Sequence, residues 1–299
     1  MKKTVLQLPG KYYFSQNSVP IALRQVRGKT LSHPHDYTGV PHWHDFSELV
    51  IITGGTGRQN INGVSYPVSA GDVFVIAGKT THFFEEYERL SIANIMFSDS
   101  VFQGVRESLN RIPGYHLIFR FEPELRTGRA FHNTLHLTGS ALSYVMTVLR
   151  KMETEFADPA PGCEAAAAAA LLELIVFLAR SSHGKKADKS VSRLAGLFGT
   201  LEASFREEWT LARMAKYSAM SVNTLLRTFR AAAKETPLHY LNTLRLNASS
   251  LLLLNSDRSI SEIAFSCGFH DSNYFTKKFR NAFGITPGAF RKKHLEESR

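Results

Sequence analysis

One stretch near the C-terminus repeats itself. Met214-Ala215 and Ile263-Ala264 stand 49 residues apart, while Phe229-Arg230, Thr236-Pro237 and Tyr240 return as Phe279-Arg280, Thr286-Pro287 and Phe290 at a spacing of 50. Self-similarity at this interval marks two copies of one small unit, the second with an extra residue in its turn. Each copy reads as a short helix (211–217 and 259–267), a tight turn, and a second helix opened by a capping side chain, Ser221 in one and Asp271 in the other. That is a helix-turn-helix, twice, over about 211–232 and 259–283. Gly268 suits a positive φ angle in the second turn, and Ala219 holds the equivalent place in the first. Pro237 is expected to start a connecting helix through Leu241, Leu244, Leu251 and Leu254, whose apolar face both units share.

Charge gathers on the same segment. Residues 210–293 hold 13 Lys/Arg against 4 Asp/Glu, whereas the other 215 residues carry 23 basic and 22 acidic side chains. A polyanion is the natural partner of such a surface. Two helices held at a fixed spacing can enter successive major grooves of double-stranded DNA. Paired helices with glycine turns are also common as plain packing, and it is the charge together with the repeat that disfavours that reading.

The run Ile263-Ala264, Gly268-Phe269-His270-Asp271-Ser272-Asn273-Tyr274-Phe275-Thr276-Lys277-Lys278-Phe279-Arg280, Phe283-Gly284-Ile285-Thr286-Pro287 and Phe290-Arg291 resembles the C-terminal signature of AraC/XylS transcription regulators over roughly 193–293. In the first copy, Lys234 replaces the glycine that the family carries before its Thr/Ser-Pro pair. The resemblance implies base contacts from Val222, Asn223, Leu226 and Arg227 in the first unit, and from Ser272, Asn273 and Lys277 in the second. Arg227 can pair with guanine through two parallel hydrogen bonds and Asn223 or Asn273 with adenine, while Val222 and Leu226 offer only apolar contact. Lys216, Arg230, Lys278 and Arg280 suit phosphates, or simply a solvated helix face. Asp271 and Glu262 are acids in a basic surface. Asp271 reads first as a helix cap, and the resemblance offers both acids as contacts for the sigma subunit of RNA polymerase.

The N-terminal part has a different grammar. Short β-rich runs at 49–52, 63–66, 73–76 and 91–95 are separated by Gly54-Gly55, Asn62-Gly63 and Ala70-Gly71-Asp72, which predicts a small antiparallel barrel or sandwich. After Pro123 the spacing turns helical. Leu142, Val145, Met146, Leu149, Met152 and Phe156 predict one helix, and 163–181 a second after the break at 159–162. The hairpin they form serves either dimerisation or packing on its own barrel. Residues 182–190 are polar and aperiodic, a linker. The expected division is a sensing barrel at 1–135, a hairpin at 136–181, the linker, and a DNA-binding domain at 191–299. The fold class is α+β multidomain: a cupin-like antiparallel β-barrel with a helical hairpin, then an all-α double helix-turn-helix.

Within the barrel, His42, His44, Phe46 and Glu48 fall on one face if their strand is unbroken, and His82 follows the Gly71-Asp72 turn. The set resembles the cupin signature over about 33–98, although Ala77 and Lys79 replace its Pro and Gly. Three imidazoles and a carboxylate suit a first-row metal. They equally suit a pocket for a polyol effector, or structural histidines. The sensing reading is preferred, with His42, His44, Glu48 and His82 as ligand-binding residues, no cofactor and no catalysis. Details of the barrel strand (44–50) and of Asp271-Ser272-Asn273-Tyr274-Phe275 resemble the regulators of L-rhamnose utilisation most. The expected protein is a homodimeric, sugar-responsive activator of a carbohydrate operon, with promoter DNA and the sigma subunit as partners. A metal-dependent cupin enzyme fused to a DNA-binding module and a ligand-independent repressor are the alternatives.

Only Cys163 and Cys267 are present, which gives no disulfide framework, and the apolar stretch Thr4–Leu8 is too short for a signal-peptide core. The longest apolar run, 165–179, is shorter than a membrane span and carries Glu173. A cytoplasmic chain that needs no membrane is expected.

Overall fold

The computed structural model describes residues 5–14, 19–27, 38–121, 123, 135–182 and 189–297. Residues 183–188, most of the expected linker, lie outside them. The chain forms two compact units, Met1–Asp188 and Lys189–Arg299.

The first unit is built on two five-stranded sheets. One has the order β1 (Leu6–Leu8), β3 (His42–His44), β8 (His82–Glu86), β5 (Thr56–Ile61), β6 (Val64–Ser69). The other runs β10 (Leu135–His136), β7 (Asp72–Ile76), β4 (Ser47–Gly54), β9 (Ser91–Phe97), β2 (Ile21–Arg27). Neighbours are antiparallel except β1 beside β3. The β5–β6 hairpin turns on Asn62 and Gly63 at φ of 50° and 83°, the pair of positive angles a two-residue turn of this twist requires.

The run Leu49-Val50-Ile51-Ile52 does not alternate with polar residues because both faces of its sheet are covered. Leu49 and Ile51, with Leu23, Val73, Ala93 and Ile95, pack under a helical layer. Val50 and Ile52, with Val26, Phe74 and Ile92, face Ile61, Val68 and Phe84 of the opposite sheet and fill the barrel. The helical layer consists of the hairpin Gly139–Ala157 and Cys163–Ser181, with shorter pieces before it. Val145, Val148, Leu149 and Met152 of its first helix and Ala167, Leu171, Leu174 and Leu178 of its second lie in that core, so this face is spent on the barrel of its own chain.

Helical structure starts earlier than the sequence spacing indicates. A 3-10 turn (Asp99–Phe102), two short α-helices (Arg106–Asn110, Pro113–Tyr115) and a π-helix (His116–Phe121) precede Pro123. Pieces of three to six residues are too short to display a 3.6-residue period. Gly114 fits among them because a Cβ there would lie 1.8 Å from the Ala179 carbonyl oxygen of the hairpin.

The second unit is all helical among the described residues: Lys189–Ser204, Leu211–Tyr217, Val222–Ala233, Pro237–Asn255, Ile260–Ser266, Ser272–Phe283 and Pro287–Glu297. The connecting helix Pro237–Asn255 buries Tyr240 and Leu241 on one side and Leu246 and Leu253 on the other. Tyr240 packs with Phe198 of the helix Lys189–Ser204 and Phe229 of the first helix-turn-helix, while Leu246 and Leu253 pack with Ile263, Phe275 and Phe279 of the second. Leu251 and Leu254, expected on the shared face, are 52% and 42% exposed. A helix serving two neighbours at different points along its length needs no single stripe.

Candidate functional site

Two regions carry the chemistry. The first lies inside the barrel. The strand expected to hold His42, His44, Phe46 and Glu48 on one face is broken at Asp45 and Phe46. His42–His44 belongs to one sheet and Ser47–Gly54 to the other. The break has a cause on each residue. Asp45 accepts a hydrogen bond from the Gly10 amide at 2.7 Å, and Phe46 is drawn into an apolar cluster with Ala22, Met96, Tyr13 and Phe14. Crossing between sheets still delivers the polar residues to one place. Glu48 shares the inward face of β4 with Val50 and Ile52, and its Oε2 lies 3.1 Å from His82 Nε2 and 3.4 Å from His44 Nε2.

His44, Glu48 and His82 are buried, and one ligand-type atom from each falls within 4.8 Å of the others. His42 stays outside that group, with its ring centroid 4.2 Å from that of His82. Burial, helped by the neighbouring His82 ring, lowers His42 to about 4, so it is neutral near pH 7. The ring of Phe46 stacks on His44, with centroids 4.1 Å apart and planes at 8°. Asp72 is a turn residue: Oδ2 accepts from the Ser69 amide at 2.7 Å and Oδ1 lies 2.8 Å from His136 Nδ1.

Three further polar residues face the interior, and sequence reasoning missed them. Arg24 and Asn94 are partners across β2 and β9 on the inward face that also carries Val26 and Ile92, and Gln59 points inward from β5 as Ile61 does. Arg24 Nε, Gln59 Nε2 and Asn94 Oδ1 are buried without a hydrogen-bond partner among the described residues. Burial lowers the Arg24 pKa. Unpaired polar atoms in an enclosed space are costly unless a ligand or water meets them. A polar residue at an inward position of an apolar strand, as in Ile92-Ala93-Asn94-Ile95, was the available signal.

The second region is the helical repeat. Both first helices and both turns are built alike. The Met220 amide donates to the Ala215 carbonyl and the Phe269 amide to the Ala264 carbonyl. Ala219 and Gly268 both take positive φ, 48° and 89°, and Lys234 matches Gly284 at 60° and 78°. Lys234 therefore reproduces the turn that its glycine counterpart makes, at a cost of about 1–2 kcal/mol in strain. The extra residue of the second copy is His270, between Phe269 and the cap Asp271.

Ser221 caps the first long helix by accepting from the Thr224 amide at 3.2 Å. Leu225, Phe229 and Ala232 anchor it inward, and Asn223, Arg227 and Arg230 project from the exposed side at spacings of four and three. In the second long helix Phe275 and Phe279 are the anchors, and Asn273, Lys277 and Arg280 occupy the places 50 residues on. Ser272 is half-buried at that helix's first turn. Lys216 is exposed on the first short helix. Lys278 stands off the stripe, half-buried, with Nζ 5.3 Å from the Tyr274 ring centroid, in a cleft with His239 and Asn242.

The two acids have local work. Asp271 Oδ1 accepts from the amides of Asn273 and Tyr274 at 2.7 and 3.2 Å. Glu262 closes a capping box with Ser259, which keeps its carboxyl below the usual range. Both remain exposed. Arg245, another residue sequence reasoning missed, is buried in the connecting helix. It donates to the carbonyls of Phe205 (2.9 Å) and Glu207 (2.8 Å) and lies 5.8 Å from the Phe269 ring centroid.

Comparison with known proteins agrees with this division. Residues 26–175 match the AraC-like ligand binding domain and residues 214–293 a helix-turn-helix domain. The HTH-type transcriptional activator RhaR of Mannheimia succiniciproducens is 27% identical over 98% of this chain and 99% of its own. RhaS activators of Enterobacter sp. and Citrobacter koseri are 31% and 32% identical, over 84% and 82% of this chain and 86% and 85% of theirs. No helix among the described residues is long and apolar enough to cross a membrane. Twin helix-turn-helix units behind a ligand-binding barrel, matched along nearly the whole chain, make this protein a member of the AraC family of DNA-binding transcription regulators.

Proposed function

We propose that the chain is a sugar-responsive activator that binds promoter DNA as a homodimer. The observation that carries this reading is the pair of matching stripes, Asn223/Arg227/Arg230 and Asn273/Lys277/Arg280, braced by one connecting helix. Asn223, Arg227, Ser272, Asn273 and Lys277 read base edges, while Lys216, Arg230, Lys278 and Arg280 meet phosphates. The barrel acts as a sensor rather than a catalyst. Its effector is a sugar, with L-rhamnose the first candidate from the sequence resemblance. Hydroxyls of that sugar meet His42, His44, Glu48 and His82 as well as Arg24, Gln59 and Asn94. Two copies engage two half-sites, and the exposed acids Glu262 and Asp271 face the sigma subunit.

The test is a titration of the full chain against its own upstream DNA and a scrambled duplex over a range of salt. Arg227→Ala should weaken the cognate site by about 1–3 kcal/mol and relax preference at one base pair, whereas Lys278→Ala should weaken all duplexes alike and flatten the salt slope. Equal, salt-insensitive binding of both duplexes by the unaltered chain overturns the reading.

A further inference from the structure

The second long helix of the repeat, Ser272–Phe283, carries polar side chains beyond its exposed stripe. Tyr274, Lys278 and Asn281 follow one another at spacings of four and three, on a flank about 100° round the helix from Asn273, Lys277 and Arg280. That flank is one wall of a cleft of about 520 Å³, and the first half of the connecting helix is the other, with His239, Asn242 and the buried Leu246. Tyr274, Asn281 and His239 are exposed, while Lys278 and Asn242 are half-buried. Lys278 Nζ lies 5.3 Å from the Tyr274 ring centroid, and Asn242 Nδ2 lies 3.5 Å from the Tyr274 hydroxyl. No acidic side chain among the described residues lines the cleft, and Glu235 beside it is engaged by His239 Nδ1 at 2.5 Å. Its one full charge is therefore the lysine ammonium, set among amide and hydroxyl donors.

The repeat shows that this flank is no requirement of the fold. Fifty residues earlier the stripe is kept, as Asn223, Arg227 and Arg230, but the flank positions hold Thr224, Thr228 and Ala231. Thr224 there accepts from the cap Ser221 at 2.9 Å. The extra polar chemistry thus belongs to one copy, the one whose flank looks across at the connecting helix that leaves the first long helix through Lys234–Thr236. The cleft accordingly lies between the two stripes. When two helices enter successive major grooves from one side, the minor groove between them turns towards the protein, and its sugar–phosphate strands cross this gap.

We propose that the cleft is a third DNA contact, which seats the sugar–phosphate backbone bordering the minor groove between the two long helices. Lys278 pairs with a phosphate, and the amides of Asn242 and Asn281 donate to neighbouring phosphate or sugar oxygens. The inference rests on the DNA-binding reading and adds to it a stretch of operator that neither stripe of base readers reaches. Seating a strand there fixes the width of the central groove, so sequence in the middle of the site acts through the deformability of the duplex rather than through base edges.

The experiment uses the full chain and the duplex that it protects within its own upstream DNA, made with single methylphosphonate linkages that each remove one phosphate charge. Neutral linkages in the middle, between the two base-contacted stretches, should weaken binding by the unaltered chain about 10-fold. Lys278→Ala should weaken the unmodified duplex to a similar extent, lower the salt slope by about one, and no longer respond to the central linkages. Asn281→Ala should weaken binding while keeping both the salt slope and the base preference. Arg230→Ala, outside the cleft, should stay fully sensitive to the central linkages. Thermal melts report folding separately, and should Lys278→Ala fail to fold, the linkage scan of the unaltered chain decides alone. Central linkages that can be neutralised without loss overturn the proposal, as does a folded Lys278→Ala chain that remains sensitive to them. Selective binding with a silent centre overturns this inference alone, whereas a chain that selects no duplex overturns the regulator reading with it.

Discussion

Single residues in this protein carry more than one duty, and the second duty decides how each should be tested. Asp271 and Glu262 cap helices, so replacing either with alanine costs about 1 kcal/mol of helix stability before any partner is considered. Asp271→Asn and Glu262→Gln keep the caps and remove the charge. If the acids face the polymerase, these variants bind DNA normally and activate poorly in a reporter assay, and unchanged transcription refutes the contact. His116 shows a different coupling. It is buried, with Nε2 donating to the Asn110 carbonyl at 2.6 Å, and burial lowers it from 6.5 to about 4. The unfolded chain therefore takes up this proton first, and stability falls as pH drops from 6.5 towards 4. Between pH 7.5 and 5 the loss from this group is about 2 kcal/mol. Thermal melts of His116→Gln should show a smaller drop over that interval than the unaltered chain. The sequence displays Ser221, Asp271 and Gly268 because capping and turn chemistry are local. Arg24, Gln59, Asn94 and Arg245 are hidden because their significance lies in partners 38 or more residues away, or in a buried polar atom that finds no hydrogen bond among the described residues.

Among elements, the sheet containing β4 is the organising one, covered on both faces. Alternation fails as a guide along 49–52 for that reason, and yet it holds face by face once the two clusters are separated. The hairpin was legible from its three-and-four spacing and its Pro-Ala-Pro-Gly break. Which surface it covers was not, because an apolar stripe looks the same whether it meets its own barrel or a second copy. The break at Asp45-Phe46 was equally invisible, since the alternating His42, His44, Phe46 and Glu48 read as one strand until the cluster claiming Phe46 is known. Gly114 makes the hairpin's seating testable. A methyl group at Gly114 collides with the Ala179 backbone carbonyl, which cannot swing aside as the nearby Ser182 hydroxyl can, so Gly114→Ala should destabilise the first unit by about 2 kcal/mol or more. Urea unfolding checks this, and an unchanged midpoint means that the layer can slide.

At the scale of the whole molecule, the division into two units and the doubling of the second were legible from punctuation and repeat, while the bracing between the copies was not. Arg245 binds two carbonyls of the 205–207 loop from a helix that touches both copies. Arg245→Ala leaves those acceptors unpaired, and about 3 kcal/mol is at stake. The variant should hold a half-length site normally and lose affinity for the complete one in a titration comparing the two. Equal losses on both sites mean that Arg245 does not set the spacing. The copies also differ, by His270 in one turn and by Arg227 standing where the other has Lys277. If these side chains read bases as proposed, a duplex that fits this chain has a head and a tail: turned end for end, each edge of the operator meets the wrong reader, and the protein faces one way along the promoter.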